Sequence, residues 1–437
     1  MKILIVSFSF PPSNVIGAIR VGKLARYLER RGHDLRVLTT DVVEDRSLPL
    51  EIASERVIYT DYRQREEWLA PLAQRLRSRP EAPGAGEATS RVNGAAPRKS
   101  AWERLRHHYH GLIHIPDLRR DWIKTALPAG RQLIAEWKPD IIFASAPPFT
   151  GLIVAGRLSR AFGIPWVADF RDLWVDGPYY SEPAWRRPID ALLEQATVRN
   201  ATALVTVSPV WADQLRRRHG KIAEVVYNGF AEEDFPQSFP QTDRGEVLTI
   251  RYTGSIYQGF RDPSPLFIAI GMLPDTSRNR VMVEFYGDAS DDVLALAAKH
   301  RVGDRVAVRP PVPYRRALEL QMQADILLLL QLCDKRDEGN LPGKIFEYLH
   351  ARRPILLIGY EHGVAGRLIR ERGAGFVVNA PERICGRLQT WIEAKQAGCL
   401  KRLDPSVSRG LGRDDQFRKL EHIFADILTA AQPAHPA

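Results

Sequence analysis

Cysteine is scarce in this chain of 437 residues, and the few cysteines are spaced in a way that excludes two classes of protein. The three of them, Cys333, Cys385 and Cys399, are odd in number and form no C-x-x-C motif. A disulfide framework needs paired cysteines and a structural zinc site needs closely spaced ones, so we expect neither. The sequence therefore predicts reduced thiols, as in a cytoplasmic protein.

Long apolar runs are missing as well. No stretch approaches the roughly 20 apolar residues that are needed to span a bilayer. The longest candidates, 324–332 and 354–359, have the length of buried strands. The apolar run at 3–6 is soon followed by Pro11 and Pro12, which makes it too short for the core of a signal peptide. We therefore expect a soluble, cytoplasmic protein.

The composition is that of a globular protein with more than one core. Apolar residues make up 44% of the chain and charged residues 26%. A chain of this length predicts two domains of roughly 200 residues each. The net charge of +10 either serves solubility or attracts anionic lipid headgroups or phosphorylated substrates. We expect no nucleic acid as a partner, because no recognisable binding module accompanies the charge.

Apolar β-type runs alternate with helical patterns in two series, the second of which starts at Leu248. Such alternation is typical of parallel sheets covered by helices on both faces. We predict an α/β fold of two doubly wound, Rossmann-like domains, 1–232 and 233–411, whose strands end at one shared cleft. A last helix over 412–430 has an apolar stripe that needs a partner surface, for which the first domain is a candidate.

Two stretches interrupt the first series. Residues 77–100 are dense in Pro, Gly, Ala, Ser and charge, which predicts a disordered loop. Residues 101–130 mix aromatic and aliphatic side chains with many basic ones. This second stretch predicts either a helical insertion packed on the domain, which we favour slightly, or a segment lying on a membrane surface.

The best candidate for a ligand site follows the apolar run that ends near residue 330. Pro342 suits the first turn of a helix, where free N–H groups can bind a diphosphate and Gly343 permits close approach. Lys344 adds a charge-assisted hydrogen bond, and Glu347 on the same helix face can accept hydrogen bonds from two ribose hydroxyls. The alternative is an ordinary amphipathic helix with a surface Lys–Glu pair.

The run 344–356, K-I-F-E-Y-L-H-A-R-R-P-I-L, resembles the signature of retaining family 4 glycosyltransferases, which have the GT-B fold. The resemblance implies that Glu347 binds the ribose of the donor in the C-terminal domain. Many members have a second acid eight residues earlier. Here that position is Gly339, so the resemblance leaves this role to Glu338 or to backbone groups of Asn340, Leu341, Pro342 and Gly343.

Motifs of the first domain resemble the same family in the same order. Phe10-Pro11-Pro12 followed by Gly17 is similar to the glycine loop beside the transferred sugar. The run 163–174 contains D-F-R-D-x-W, which resembles a bacterial branch that acts in surface polysaccharide assembly. Its acidic and basic residues could equally form a structural salt-bridge cluster. The residues that the resemblance assigns to the acceptor or sugar side are Arg20, Pro147, Asp169, Arg171 and Asp172.

The second domain opens as the family does, with Tyr-Thr-Gly-Ser ending at Ser255. Gly254 is similar to the glycine of the strand-to-helix turn, and Gly287 to the glycine that ends the next strand. The family usually has an arginine where this chain has Ser255 and a lysine some residues later, both on the diphosphate. Arg261 is the candidate for the lysine's role.

The resemblance implies transfer of a sugar, with retention, from a UDP- or GDP-sugar. It implies a saccharide or lipid-linked acceptor in polysaccharide synthesis at the inner face of the cell membrane, with peripheral contact to anionic lipid. We expect neither cofactor nor metal, because no D-x-D motif follows a strand and a helix dipole with cations can replace the metal. The residues implied as catalytic are Gly17, Arg171, Asp172, Arg261 and Lys344.

Two other functions stay open for this architecture. One is a nucleotide-sugar epimerase, which would isomerise the donor without an acceptor. The other is a catalytically silent partner subunit, which the missing acid at Gly339 makes conceivable. We do not expect a nicotinamide dehydrogenase, since the first β–α turn has no G-x-G-x-x-G motif.

Overall fold

The structure is a computed structural model that describes residues 1–42, 46–62, 111–237, 245–256, 261–288 and 290–431. The loop expected over 77–100 and the first part of the segment 101–130 lie outside the described residues. In the part of the chain that is described, no helix is both long and apolar enough to cross a bilayer. The chain forms two compact units. Unit 1 comprises Met1–Val205, Leu215–Ala223 and Ile423–Ala437, and unit 2 comprises Thr206–Gln214 and Glu224–His422.

The first sheet has seven strands in the order β3-β2-β1-β4-β5-β6-β7. The pairs around its centre are parallel, with Ile3 opposite Leu35 on one side and opposite Ile141 on the other. Its central strands are buried along almost their whole length, as expected for a sheet covered on both faces. The strands are β1 (Lys2–Val6), β2 (Asp34–Thr40), β3 (Val57–Thr60), β4 (Ile141–Ala146), β5 (Trp166–Phe170), β6 (Ala203–Thr206) and β7 (Ala223–Val225).

Helices connect successive strands and pack on the sheet through apolar residues at helical spacing. In the first helix, Val21, Leu24 and Leu28 recur every three or four residues and are buried. The carboxylate of Asp117 accepts hydrogen bonds from the backbone N–H and the hydroxyl of Thr150, where another helix begins. The described helices up to residue 219 are α1 (Ile16–Arg30), α2 (Ile123–Trp137), α3 (Thr150–Phe162), α4 (Arg187–Val198) and α5 (Pro209–His219).

The second sheet has six strands, all parallel, in the order β10-β9-β8-β11-β12-β13. Its central strand is five successive aliphatic residues that are all buried, which explains why this stretch of sequence shows no alternation. The strands are β8 (Leu248–Thr253), β9 (Val281–Tyr286), β10 (Val306–Arg309), β11 (Ile326–Leu330), β12 (Ile355–Ile358) and β13 (Gly375–Val377). The predicted α/β class with two doubly wound sheets is thus confirmed.

The helices of this second series also carry buried apolar side chains, apart from the short helix Asp275–Arg278, which has no buried residue. They are α6 (Ser264–Gly271), α7 (Asp275–Arg278), α8 (Ser290–Lys299), α9 (Tyr314–Gln323), α10 (Lys344–Ala351), α11 (Val364–Glu371), α12 (Pro381–Gln396) and α13 (Arg413–Ala431).

The last helix, α13, contributes to both units. In unit 2, the side-chain oxygen of Gln416 accepts a hydrogen bond from the backbone N–H of Tyr227 at 3.1 Å. In unit 1, the buried ring of Phe424 lies 5.8 Å from that of Phe143 in β4. The apolar stripe of this helix is therefore used in two places.

Each sheet has a point where the strand order reverses. In the first sheet it lies between β1 and β4, and in the second between β8 and β11. Connections leave these neighbouring strands in opposite directions, so a crevice opens outside their carboxyl ends, where open α/β sheets bind ligands. These two edges are where the candidate site residues are found.

Candidate functional site

In unit 2, two glycines bring the ends of β8 and β9 into backbone contact. Gly254 follows β8 with a φ of 119°, and its N–H donates to the carbonyl of Tyr286 at 2.8 Å. Gly287 follows β9 with a φ of 156°, and a Cβ there would overlap the carbonyl oxygen of Gly254. Both positions therefore favour glycine because of their positive φ, and Gly287 does so also because the two backbones approach closely.

Lys344 reaches this edge from the first turn of α10. Its Nζ donates to the carbonyl oxygen of Thr253 at 2.7 Å and lies 4.2 Å from the centre of the Tyr252 ring. A Cβ on Gly254 would lie 2.7 Å from the same Nζ. The glycine thus leaves the space that the ammonium group occupies at the carboxyl end of β8.

The environment of Lys344 disfavours its charged form. Burial and, to a lesser extent, the positive charge of Arg261 lower the pKa of Lys344 to about 7, while Glu347 opposes both. A cation held in this way is poised to gain charge stabilisation from an incoming anion. The same lysine can therefore respond to a phosphate more strongly than a surface lysine would.

Arg261 contacts the end of β8 and the residue Ser255 that follows it. Its Nη1 donates to the hydroxyl of Tyr252 at 3.1 Å and to the carbonyl of Ser255 at 2.6 Å. The Ser255 hydroxyl in turn lies 3.3 Å from the carboxylate of Asp288. Two cations, Arg261 and Lys344, thus share one tyrosine at the reversal point of the second sheet.

Both carboxylate oxygens of Glu347 accept hydrogen bonds from side chains of α9. Its Oε1 accepts from the hydroxyl of Tyr314 and its Oε2 from the amide of Gln321, each at 3.1 Å. The same amide also donates to the hydroxyl of Thr253 at 3.1 Å, which ties the carboxylate to β8. Burial raises the pKa of Glu347, while the hydrogen bonds from these two partners favour its charged form.

Sequence reasoning missed Tyr314 and Gln321. They stand seven residues apart, on one face of α9, which is the spacing of two helical turns. This spacing is typical of any helix that packs on a core, so it indicates nothing about a carboxylate on another helix. Their role follows only from the tertiary contact.

The loop between β11 and α10 is organised around a buried acid. Both carboxylate oxygens of Asp337 accept hydrogen bonds, one from the Gln331 amide at 3.2 Å and one from the Asn340 amide at 3.0 Å. The Gln331 amide also donates to the carbonyl of Asn340 at 3.1 Å. Burial raises the pKa of Asp337 to about 6. Asn340 is therefore engaged in shaping the loop.

The first turn of α10 offers backbone groups for a ligand. The helix begins at Lys344, and its cap, Gly343, has no side-chain hydrogen bond. The side chain of Leu341 is buried in the core of unit 2, and the carbonyl of Pro342 accepts from the backbone N–H of Ile345 at 3.1 Å. Of the expected donor-binding residues here, Leu341 can therefore contribute only its backbone.

An acid cannot be accommodated at Gly339. A Cβ at this position would overlap the indole of Trp211, which is buried in the same unit. The neighbouring Glu338 lies 3.8 Å from Arg367, and its carbonyl accepts from the N–H of Val364 at 2.8 Å. The departure from the usual two-acid pattern thus has a steric cause.

We expect Gly339→Glu, which restores the two-acid pattern, to destabilise the protein. Overlap with Trp211 forces the loop to move, at a cost of about 1–3 kcal/mol or more. Thermal unfolding measures this as a lower Tm. Gly386→Glu is the matched control, because a Cβ there meets no atom within 4 Å. An unchanged Tm for Gly339→Glu would contradict the steric explanation.

In unit 1, Arg20 and Asp169 form a buried ion pair. Nε and Nη2 of the arginine donate to the two carboxylate oxygens at 3.2 and 3.3 Å, and Ser145 donates a further hydrogen bond at 2.7 Å. Both side chains are almost fully buried. The pair therefore links α1 to β5 and β4 and holds the local geometry rather than facing solvent.

Arg171 follows β5 and lies against α1. Its Nη2 donates to the carbonyl of Pro147, and a Cβ on Gly17 would overlap its guanidinium group. The buried Nε has no hydrogen-bond partner within the described ranges. Gly17 is thus the residue that lets the arginine reach the start of α1.

The expected site residues fall into two groups, one at the reversal point of each sheet. Unit 1 joins Gly17, Arg20, Pro147, Asp169 and Arg171 by contacts, with Asp172 adjacent in sequence. In unit 2, contacts link the residues at the ends of β8 and β9 to the start of α10. This second group comprises Gly254, Ser255, Arg261, Gly287, Lys344 and Glu347, together with Asn340, Leu341, Pro342 and Gly343 in the loop that leads to α10.

Comparison with known sequences identifies one domain family. Residues 17–229 match the family model described as a glycosyl transferase 4-like domain. No curated protein matches the chain by sequence. The match begins at Gly17 and spans the part of unit 1 that carries Arg171.

Solved structures share the whole architecture. Anabaena HepE, solved in complex with UDP, has 13% identity and a TM-score of 0.62, with 98% of this chain and 100% of that chain covered. Sucrose-phosphate synthase from Thermosynechococcus elongatus has 15% identity and a TM-score of 0.60, covering 99% and 100%. A putative UDP-N-acetylglucosamine 2-epimerase from Listeria monocytogenes has 11% identity and a TM-score of 0.57, covering 99% and 97%. At these identities the likeness establishes the GT-B fold.

Proposed function

We propose that this protein, with its GT-B fold and a glycosyl transferase 4-like match over 17–229, transfers a sugar from a nucleotide diphosphate donor to an acceptor. The observation that carries the proposal is the pairing of Lys344 and Glu347 on one turn of α10. Lys344 lies at the carboxyl end of β8 beside Arg261, and Glu347 is held one turn on by Tyr314 and Gln321. A cationic group and an anionic group one helical turn apart suit a diphosphate and the ribose next to it.

The chemistry needed is stabilisation of the departing diphosphate. Lys344 and Arg261 supply positive charge, and the backbone at the first turn of α10 supplies N–H groups. A preorganised donor of this kind contributes about 3 kcal/mol to the transition state when it meets charge that develops during the reaction. Glu347 orients the nucleoside by accepting hydrogen bonds from ribose hydroxyls.

In unit 1 we assign Arg171 and Asp172 to orientation of the sugar or the acceptor. Arg171 is fixed by the carbonyl of Pro147, and Gly17 leaves its guanidinium accessible to the start of α1. Arg20 and Asp169 act as positioning residues, since their side chains are buried against each other. The carboxyl group of Asp172, whose pKa is raised by burial, is assigned to a hydroxyl group of the sugar or the acceptor.

The finer features of the proposal follow the family resemblance. The donor is a UDP- or GDP-sugar, and transfer retains the anomeric configuration. The acceptor is a saccharide or a lipid-linked saccharide of cell-surface polysaccharide synthesis, used at the inner face of the cell membrane. Transfer needs no cofactor and no metal, because Lys344, Arg261 and the start of α10 carry the charge that a divalent cation would otherwise supply.

A panel of UDP-, GDP- and ADP-sugars tests the proposal by thermal shift in excess EDTA. We expect a UDP- or GDP-sugar to raise Tm, because a ligand that binds only the folded state stabilises it. Sugar transfer from that donor should then persist in EDTA. Isomerised donor in reactions without acceptor would instead indicate an epimerase. Failure of every donor to shift Tm would favour a silent partner subunit.

A further inference from the structure

Gln331 directly follows β11, at the point where the strand order of the second sheet reverses. Leu327 and Leu329 of β11 pack in the apolar core that includes Ile345 and Phe346 of α10. Side chains alternate between the two faces of a strand, and Gln331 continues the series of these two leucines. It therefore belongs to the face of the sheet that α10 covers.

The neighbouring strand brings the candidate phosphate site to the same place. Strands β11 and β8 are parallel, with Leu327 opposite Arg251. Continued by four residues, this register sets Gln331 beside Ser255, just after the end of β8. The ammonium group of Lys344 donates to the carbonyl of the last residue of β8. Gln331 and this lysine therefore flank the same crevice.

The two ends of the Gln331 amide have different surroundings. Its nitrogen donates to the carboxylate of Asp337 at 3.2 Å and to the carbonyl of Asn340 at 3.1 Å. Both partners are acceptors, so they fix which end of the amide carries the nitrogen. The amide oxygen accepts no hydrogen bond from any residue in the described ranges. The side chain is 8% exposed, so a nearly buried acceptor with a defined direction is left for a ligand.

The position of this amide is fixed by the backbone and by the loop. The N–H of Gln331 donates to the carbonyl of Ile358 at 2.9 Å, and a Cβ on Gly359 would lie 2.7 Å from the Cβ of Gln331. Asp337 is itself held, because its second oxygen accepts from the amide of Asn340 at 3.0 Å. An acceptor that is oriented before the ligand arrives loses less conformational freedom on binding.

The chemistry of an amide oxygen selects among the parts of a nucleotide-sugar donor. The diphosphate offers acceptor oxygens, so it cannot donate a hydrogen bond to this amide oxygen. The ribose hydroxyls are assigned to Glu347. The hydroxyl groups of the transferred sugar are donors, and they follow the diphosphate on the side away from the nucleoside. They are therefore the groups that suit an acceptor beside the phosphate site.

We propose that Gln331 is a specificity-determining residue whose amide oxygen accepts a hydrogen bond from a hydroxyl group of the transferred sugar. Asp337 and Asn340 are positioning residues, since they orient this amide. The inference rests on the proposed sugar transfer and adds the group that recognises the sugar. A site that binds a hydroxyl group in this way rejects an analogue without it, because the buried acceptor is left without a partner.

Titration calorimetry with matched ligands tests the proposal. The probes are the nucleotide sugar with the largest thermal shift in the panel, its nucleoside diphosphate, and its analogues that each lack one sugar hydroxyl. The unchanged protein should bind one analogue about tenfold more weakly than the full donor. Gln331→Met, which has no amide oxygen, should bind the full donor about tenfold more weakly and should not distinguish that analogue from it. Its affinity for the nucleoside diphosphate should stay within about twofold.

Asp337→Asn is a second variant, and it leaves Gln331 in place. An asparagine side chain has one acceptor oxygen where the carboxylate has two, so it cannot hold both neighbouring amides. The discrimination against the analogue should fall to about threefold. Gln396→Met is the matched control, because it changes an exposed glutamine at the end of α12. It should bind every probe as the unchanged protein does.

Three outcomes decide between the possibilities. Equal affinity of the unchanged protein for the full donor and for every analogue would overturn the proposal. So would a Gln331→Met variant that loses as much affinity for the nucleoside diphosphate as for the donor, since the side chain would then only support the loop. If no nucleotide sugar binds the unchanged protein, the proposed function fails, and this inference fails with it.

Discussion

Glu347→Ala is expected to weaken donor binding about 100-fold and to lower the rate of transfer in parallel. The change removes a charged carboxylate that accepts hydrogen bonds from two ribose hydroxyls, at about 1.5 kcal/mol or more each. Titration calorimetry with the donor found in the thermal-shift panel measures the binding, and release of nucleotide diphosphate measures the rate. Glu347→Gln should lose less, since the amide oxygen can still accept one hydrogen bond.

Two controls separate this effect from a loss of fold. Glu319→Ala removes an exposed acid of α9 that pairs with Arg316, and it should leave donor binding unchanged. Tyr314→Phe removes one of the two groups that hold Glu347 and should have a smaller effect than Glu347→Ala. Donor affinity that survives in Glu347→Ala would remove this residue from the site.

Lys344→Met is expected to lower the rate of transfer about 100- to 1000-fold. The ammonium group beside the carbonyl of Thr253 is one of two cations at the end of β8, and loss of one preorganised charge at a leaving group has effects of this size. Steady-state rates at saturating donor measure it. A rate within a factor of three of the unchanged protein would show that Lys344 does not face the reacting phosphate.

The pH dependence gives Lys344 a second test. Because burial lowers the pKa of Lys344 to about 7, its positive charge in the free protein is lost as pH rises through that value. Affinity for an anionic donor should therefore fall above pH 7, up to tenfold per pH unit, and Lys344→Met should remove this slope. Lys299→Met, which changes an exposed lysine of α8, should retain it.

The same shift predicts the sign of a stability change. An unfolded lysine has a pKa of about 10.4, so between about pH 7 and pH 10 the unfolded chain binds more protons at Lys344 than the folded one. Lys344 therefore destabilises the folded state in that window, and its contribution to the free energy of unfolding rises with pH across the window. Lys344→Met removes the difference. The variant without ligand should therefore unfold at an equal or higher Tm near pH 7, although it loses activity.

The fold was accessible from sequence because its signals are local. The buried strand Ile326–Leu330 appears as a continuous aliphatic run, and α10 appears through a proline and a glycine just before it. The edges of the two sheets could be inferred as ligand sites because the alternation of strands and helices fixes which strand ends lie together. Gly254 and Gly287 were identified through the family resemblance, which places a glycine at the end of each of these strands.

The remaining features depend on contacts between distant parts of the chain. The indole of Trp211 excludes any side chain at Gly339, and no local pattern connects two positions 128 residues apart. Asp337 could not be singled out in its polar loop, because its burial depends on the positions of Gln331 and Asn340 in the folded chain. The burial of Asp190 and Glu194 on α4 likewise depends on their ion-pair partners, Arg186 and His219, and no local pattern predicts it.

The position of Phe424 sets a constraint on when unit 1 can finish folding during synthesis. Its ring is fully buried and lies 5.8 Å from that of Phe143 in β4, yet it comes 281 residues later in the sequence. The strands of unit 1 up to β7 leave the ribosome some 200 residues earlier, at a time when this part of their core has no cover. Unit 1 must therefore wait, with apolar surface exposed on β4, until the last helix has been made. A nascent chain halted before α13 would be a substrate for chaperones even though all thirteen strands are complete.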